Sequence, residues 1–275
     1  MKSDNTGVLM RLAIGCIASG SSGNSYMIRS ESTAILVDAG ISGKRIMEGL
    51  RYFGLEGMPE GVLITHEHSD HINELPVLLK KGIKIYANEG TAEAISGNLA
   101  ISDLEKITTG ERFNIGDIEV SSFSVSHDAA EPVGFSFERD GACISIITDT
   151  GYVTDDCYKY MKKADILVLE SNHDESMLRI GRYPWFLKQR ILGNKGHLSN
   201  EAAAQAVARV LLEDSLGGRP KYRKLLLAHL SKENNFPQMA LATMSNVLES
   251  KGFSCERDIS VETLSRTSPS ELYIL

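Results

Sequence analysis

Apolar residues fall along the chain in short blocks of strand length, separated by stretches whose apolar positions recur at helical spacing. The blocks Met10 to Ile17, Ser25 to Arg29 and Ala34 to Val37, punctuated by Gly- and Ser-rich turns, predict three strands. A helix is predicted over Gly43 to Phe53 and a strand over Gly61 to Ile64. The middle alternates predicted helices, Leu75 to Lys81 and Thr91 to Asn98, with strands at Lys84 to Ala87, Ile118 to Val125, Gly134 to Glu138 and Ala142 to Thr148. Beyond Tyr152 the pattern runs helix, strand Ile166 to Glu170, helix Ser199 to Leu212, strand Leu225 to Ala228 and helix Phe236 to Ser250. Single helices between strand runs point to helices covering packed sheets, an α/β layer architecture. Periodicity does not separate one sheet from two. With no repeat, low-complexity tract or Pro/Ser-rich linker, a single domain is expected over residues 1–275.

Composition narrows the class. At 275 residues with 42% hydrophobic and 24% charged positions, the chain can bury a sizeable core. It shows no uninterrupted apolar stretch near the roughly 20 residues of a membrane span. The start, MKSDNTGVLMRLAIGC, has too short an apolar run for a signal peptide, which leaves the cytoplasm as the default compartment. Cys16, Cys143, Cys157 and Cys255 are scattered without CxxC spacing, so neither a disulfide framework nor a thiolate zinc site is indicated. A net charge of -7 argues against a surface that grips nucleic acid everywhere, while leaving room for a local basic patch.

The chemistry is concentrated just after Val62-Leu63-Ile64. Three of the chain's 7 histidines crowd into His66-Glu67-His68-Ser69-Asp70-His71. Neither a strand nor a helix could aim His66, His68, Asp70 and His71 at one spot, so a loop curling round something is expected. Three imidazoles and a carboxylate suit zinc, manganese or iron. His127 follows a predicted strand, and Asp149 and His229 end two others, where ligands gather in α/β sheets. Asp38, ending Ile35-Leu36-Val37, is either a carboxylate that orients a ligating imidazole or a turn former.

HEHSDH, then His127, Asp149 and His229 in that order, resembles the metallo-β-lactamase fold superfamily over nearly the whole chain. The resemblance implies a four-layer αββα sandwich. It implies that His66, His68 and His127 hold one metal, that Asp70, His71 and His229 hold a second, and that Asp149 bridges both. The β-lactamases proper carry Cys where this chain has Asp149, which argues against antibiotic degradation. Two divalent ions roughly 3.5–4 Å apart, zinc or manganese with iron admitted, would lower the pKa of a shared water and stabilise both attacking and leaving oxygens. Asp70 matches a position often assigned as a base.

Three local features bear on the substrate. From Ser176 to Asn200 there is no acidic residue, but there are Arg179, Arg182, Lys188, Arg190 and Lys195 with Tyr183, Trp185 and Phe186. That mixture can bind phosphates and stack bases, or form a solvated helix face over a few core aromatics. In Gly196-His197-Leu198-Ser199-Asn200, Ser199 or Asn200 can cap the following helix and set His197 beside a phosphate-welcoming helix N-terminus. The small residues of Ala18-Ser19-Gly20-Ser21-Ser22-Gly23-Asn24-Ser25 allow close backbone approach to an anion or a tight connection. GHLSN followed by AHLS is similar to the tail of the ribonuclease Z group, in which a histidine matching His197 serves near the scissile phosphate. His173, in Glu170-Ser171-Asn172-His173-Asp174, is a second candidate for substrate contact or an idle loop histidine.

Together, GSSGNS, HEHSDH, SHDA, TDTG, ESNHD, GHLSN and AHLS look like the YycJ-like branch of single-domain exonucleases, with a match from Leu12 to Asn235. The expectation is a metal-dependent phosphodiesterase, a nuclease acting on DNA rather than RNA. In it Asp70 and His197 are catalytic, and His173, Ser199, Arg182, Lys188 and Arg190 contact substrate. The rivals are a small-molecule hydrolase for a thioester, lactone or cyclic nucleotide on the same metals, and a protein whose metals only staple the fold. Structural zinc sites are usually closed and four-coordinate, whereas seven ligands for two ions favour a working centre.

Overall fold

The computed structural model describes residues 10–99, 101, 104–218 and 221–275. Two sheets of seven strands each are present among the described residues. The first is built from β1 (Ala13–Ala18), β2 (Ser25–Arg29), β3 (Ala34–Val37), β4 (Gly61–Leu63), β5 (Lys84–Ala87), β6 (Glu105–Lys106) and β14 (Leu272–Ile274), in the order β14-β1-β2-β3-β4-β5-β6. The second uses β7 (Arg112–Ile115), β8 (Ile118–Ser124), β9 (Val133–Arg139), β10 (Ala142–Ile147), β11 (Ile166–Glu170), β12 (Arg223–Ala228) and β13 (Ile259–Thr263), in the order β13-β12-β11-β10-β9-β8-β7. Each sheet begins as an antiparallel meander and becomes parallel: β3 through β6 in the first, β10 through β13 in the second.

The apolar runs are continuous because the strands are buried on both faces, as parallel sheets between helices must be. In β3, Ile35 and Val37 point into the cluster between the sheets, where they meet Phe135, Ile144 and Val168. Leu36 points the other way, toward Ile46 and Leu50 of α1 (Gly43–Tyr52). In β12, Leu226 and Ala228 face the inner cluster, while Leu225 and Leu227 face Ala204, Val207 and Leu211 of α8 (Asn200–Leu216) and Met244 of α9 (Pro237–Ser250). The result is helix, sheet, sheet, helix: the expected αββα sandwich. Full burial of each such side chain stabilises by about 1.5–3 kcal/mol. No helix among the described residues is long and apolar enough to cross a membrane.

Most predicted elements are present within a few residues. The strand expected from Met10 starts at Ala13, and the helix expected over Thr91 to Asn98 runs Glu89–Leu99. Others were not anticipated: α2 (Ser69–Ile72), α6 (Glu175–Ile180), α7 (Trp185–Leu192), β6, β7, β13 and β14. β6, β7 and β13 are edge or near-edge strands with polar, half-exposed residues, so they carry no apolar run. The loop expected for HEHSDH is one only as far as His68, because Ser69 opens the short helix α2 that carries Asp70 and His71. The four cysteines are free, and Cys16 and Cys143 are buried.

Candidate metal centre

The site lies where the C-terminal ends of the parallel strands meet. Asp38 follows β3, Thr65 and His66 follow β4, Asp149 follows β10, Glu170 ends β11 and His229 follows β12. His127 lies three residues beyond β8, which runs in the same direction as β10 because both pair antiparallel with β9. Three of these residues are non-glycines in the left-handed region: Asp38 (φ 61), Asp149 (φ 56) and His229 (φ 55). Such a conformation costs about 1–3 kcal/mol and persists when the surroundings over-determine it. Here it turns a side chain that strand alternation would send into a sheet face toward a common centre.

Four sets of potential ligand atoms lie within 4.8 Å of one another: His66, His68 and His127; Asp70, His71 and His229; His66, His71 and Asp149; and Asp149, Glu170, His197 and His229. Thus all seven residues expected to hold metal converge, with His66 and His68 rings 4.6 Å apart and His66 and His127 rings 5.0 Å apart.

The hydrogen bonds fix which imidazole nitrogen faces the centre. His71 Nδ1 donates to Asp38 Oδ2 at 2.8 Å, His229 Nδ1 to Glu170 Oε1 at 2.8 Å, and His127 Nδ1 to the Gly196 carbonyl at 3.0 Å. Thr65 Oγ1 gives its one proton to the Asp38 carboxylate, at 3.0 and 3.1 Å, and therefore accepts from His66 Nδ1 at 3.0 Å. In all four rings Nδ1 carries a proton, which makes Nε2 the nitrogen that would coordinate. Asp38 thus orients an imidazole as well as turning the chain.

The residues fit divalent metal on the structure's own terms. His66 Nε2, His229 Nε2 and Asp149 Oδ2 are buried and have no hydrogen-bond partner among the described residues. Buried polar atoms are seldom left so, because each costs about 1–3 kcal/mol unmet. Burial and the neighbouring imidazoles hold His66 well below the usual histidine range. Burial also pushes His71 down, but Asp38, Asp149 and Asp70 lift it well above that range. Imidazoles crowded among carboxylates in this way call for cations between them.

Residues 33–216 match the beta-lactamase superfamily domain. The chain belongs to that family. It is 43% identical over 249 residues to the exodeoxyribonuclease YycJ of Bacillus anthracis, covering 89% of this chain and 92% of that one. It is 44% identical over 241 residues to the exodeoxyribonuclease WalJ of Streptococcus pneumoniae, covering 84% and 86% respectively. The metallo-beta-lactamase fold protein YhfI from Bacillus subtilis superposes with a TM-score of 0.68 at 16% identity, over 94% of this chain and 99% of that one. The last comparison speaks to the fold alone.

In this β-lactamase superfamily chain the other expected site residues divide. His197 lies at the rim, its side chain 20% exposed, with Nδ1 donating to Glu170 Oε1 at 2.8 Å. Arg190 is exposed and pairs with Asp128 at 2.5 Å, and both line a cleft of about 190 Å³ together with His197, Tyr183 and Leu187. Arg182 is exposed on the loop between α6 and α7. Three residues do not face solvent. Lys188 is buried, and its Nζ donates to the carbonyls of Arg179 and Gly181 at 2.7 Å each, so its charge closes the end of α6 instead of meeting a ligand. The Ser199 hydroxyl caps α8 by accepting from Ala202 N. His173 is 1% exposed, both its ring nitrogens lack a partner among the described residues, and burial pushes it down to about 4.

Glu170 escaped the sequence reading. It is fully buried, and Oε2 accepts from the amides of Thr150 and Leu198 at 2.9 and 3.1 Å while Oε1 serves the two histidines. Burial raises its pKa, but His197 and His229 bring it below the usual carboxylate range. The available signal was a charge closing the apolar run Ile-Leu-Val-Leu. Asn24 is the other addition. From the GSSGNS turn its Nδ2 lies 3.1 Å from His71 Nε2 and 3.4 Å from Asp70 Oδ2.

Proposed function

We propose that the chain is a metal-dependent phosphodiesterase that degrades DNA from an end. The observation that carries this reading is the His197–Glu170 pair at the rim of a centre whose expected ligands are buried except for the half-buried His68 and Asp70. The curated relatives that cover most of the chain are exodeoxyribonucleases. A DNA substrate fits the cytoplasm as the compartment and one domain as the working unit.

His66, His68 and His127 would hold one divalent ion, Asp70, His71 and His229 a second, and Asp149 would touch both. Zinc or manganese suits these nitrogen and oxygen donors. Such ions would supply Lewis-acid activation of water and neutralise phosphate charge. Asp70 is 23% exposed against 3% for Asp149, so it is the ligating carboxylate that an attacking water can reach and the one that orients it. His197, locked through Nδ1, keeps Nε2 free toward the cleft. Burial disfavours its charged form, but Glu170 overcomes that and raises its pKa, so Nε2 carries a proton to give to the departing oxygen. Arg190 stands in the same cleft to receive a phosphate.

The test is digestion of end-labelled single- and double-stranded DNA, RNA and a small thioester by metal-free protein resupplied with manganese or zinc. Asp70→Ala is the contamination control. Stepwise shortening of DNA by the wild type alone is expected. Thioester cleavage with nucleic acid left intact would overturn the proposal in favour of a small-molecule hydrolase.

A further inference from the structure

A second cleft, of about 390 Å³, opens between the segment that follows β12 and the one that joins β13 to β14. Its walls include Ser231 and Lys232 on one side and Ser265, Arg266 and Thr267 on the other, and no Asp or Glu lines it. On a chain of net charge -7 that is a local inversion. Arg190 is held by Asp128, whereas neither Lys232 nor Arg266 has a carboxylate partner among the described residues. Lys232 is exposed and Arg266 half-buried. The hydroxyls add donors. Ser231 Oγ accepts from the amide of Asn234 and Ser265 Oγ from the amides of Thr267 and Ser268, all at 3.2 Å, so each keeps its own proton to give. Two cations and two hydroxyl protons, with no anion among them, match a phosphate.

Position ties this cleft to the centre. Ser231 lines it and also lines the cleft that holds His197, so the two meet. Ser231 stands two residues beyond His229, at most about 7 Å of extended chain. Ser19 anchors the other wall: its amide donates to the Ser265 carbonyl at 3.1 Å, and its Oγ accepts from the His229 amide at 2.8 Å. Gly20 seats the arginine. A Cβ there would lie 2.7 Å from Arg266 Cγ and Cδ, so the glycine, at φ 151, leaves the stem its place. The amides of Gly20 and Gly23 are already bonded within the turn, to Asn24 Oδ1 and the Gly20 carbonyl. GSSGNS therefore serves an anion through the cation it positions.

We propose that Arg266 and Lys232 form a second phosphate subsite, which holds a backbone phosphate of the DNA strand beside the one at the metal centre. This rests on the reading of the chain as a DNA-degrading phosphodiesterase and adds where the neighbouring phosphate lies. Phosphate contacts fix register and carry no sequence information, which suits stepwise digestion of any sequence.

The experiment follows the anisotropy of a fluorescein-labelled blunt DNA duplex titrated with chelator-treated, full-length protein over a range of salt concentrations. The log–log salt slope should flatten by about 0.9 in Arg266→Gln or Lys232→Gln, and by about 1.8 in the double variant. Affinity of the double variant should fall about tenfold or more, the order of one lost charged hydrogen bond. Lys232→Glu changes an exposed residue that the fold can spare, and should weaken binding further than Lys232→Gln. In the metal-loaded protein, the double variant should lose at least about tenfold more on the duplex, in KM, than on bis(p-nitrophenyl) phosphate, whose one phosphate reaches only the centre. An unchanged slope in both Lys232→Glu and the double variant would overturn the subsite. So would equal losses on duplex and small diester, which would assign the two residues to shaping the centre. Slope changes without cleavage by the wild type would sink the exonuclease reading and leave the subsite standing. Cleavage with unchanged slopes would do the reverse.

Discussion

His197 and His229 share one oxygen: Glu170 Oε1 accepts from the Nδ1 of each at 2.8 Å. The same carboxylate thus orients a proposed metal ligand and the proposed proton donor, and the two rings lie 5.2 Å apart. The two proposed functions are coupled through one fully buried carboxylate.

That coupling separates two variants. His197→Ala should keep its metal content and slow turnover by about 10²–10⁴, the usual worth of acid catalysis. Glu170→Gln should slow turnover and also lose metal affinity by about 10–100-fold, because His229 loses its orienting acceptor. Metal-to-protein ratios measured beside turnover distinguish them. Metal loss in His197→Ala would instead make His197 a ligand.

Asp149→Ala should cost activity by orders of magnitude together with at least one metal, since Asp149 neighbours the ligands of both sets. Chelation of the wild type should lower the melting temperature. Saturation a thousandfold above Kd stabilises by about 4 kcal/mol, roughly 10 °C for a chain of this size. A fully active, metal-replete Asp149→Ala would refute the bridging role.

Gly40 has no room for a side chain, because a Cβ there would lie 1.5 Å from the Asp70 carbonyl oxygen. Gly40→Ala must push the HEHSDH segment away, and a loss of about 3 kcal/mol or more is expected, read by denaturant unfolding together with metal content. Unchanged stability and metal content would show that the segment can yield.

The two classes of basic residue should behave differently. Lys188→Met leaves the carbonyls of Arg179 and Gly181 without their donor, and should cost about 1–3 kcal/mol of stability. Replacing Arg182 and Arg190 should leave stability nearly intact and flatten the salt dependence of DNA binding by up to about two units of slope. An unchanged slope would remove both arginines from the interface.

Asp117 provides a pH signature away from the centre. Burial nudges its carboxyl up, but the hydroxyls of Ser32 and Ser30, each donating at 2.7 Å, and Arg139 bring it down to about 2 from an ordinary 3.8. A lowered folded-state pKa stabilises above the unfolded value and ceases to do so as pH falls from about 4 to about 2. The melting-temperature gap between wild type and Asp117→Asn should therefore be full at pH 6 and close toward pH 2. A constant gap would assign the effect to something other than titration.

The sequence by itself determined the inner strands and singled out the candidate ligands. Ala34–Val37 and Ile166–Glu170 are apolar runs that only a doubly covered strand can bury. HEHSDH, His127, Asp149 and His229 announce their chemistry by residue type and by their place after such runs. What the chain could not disclose is which groups work in pairs across long separations. Glu170 reads locally as the charged end of a strand, and only the register of β11 beside β12 brings it to His229, 59 residues on. Lys188 and Arg190 look alike in sequence, yet α7 buries the first against α6 and leaves the second in the cleft, because positions two apart on a helix face different sides. Edge strands such as Glu105–Lys106 carry no apolar signal, because their stability comes from the neighbour they pair with. Periodicity records what a residue wants to bury, whereas tertiary structure decides what it meets there.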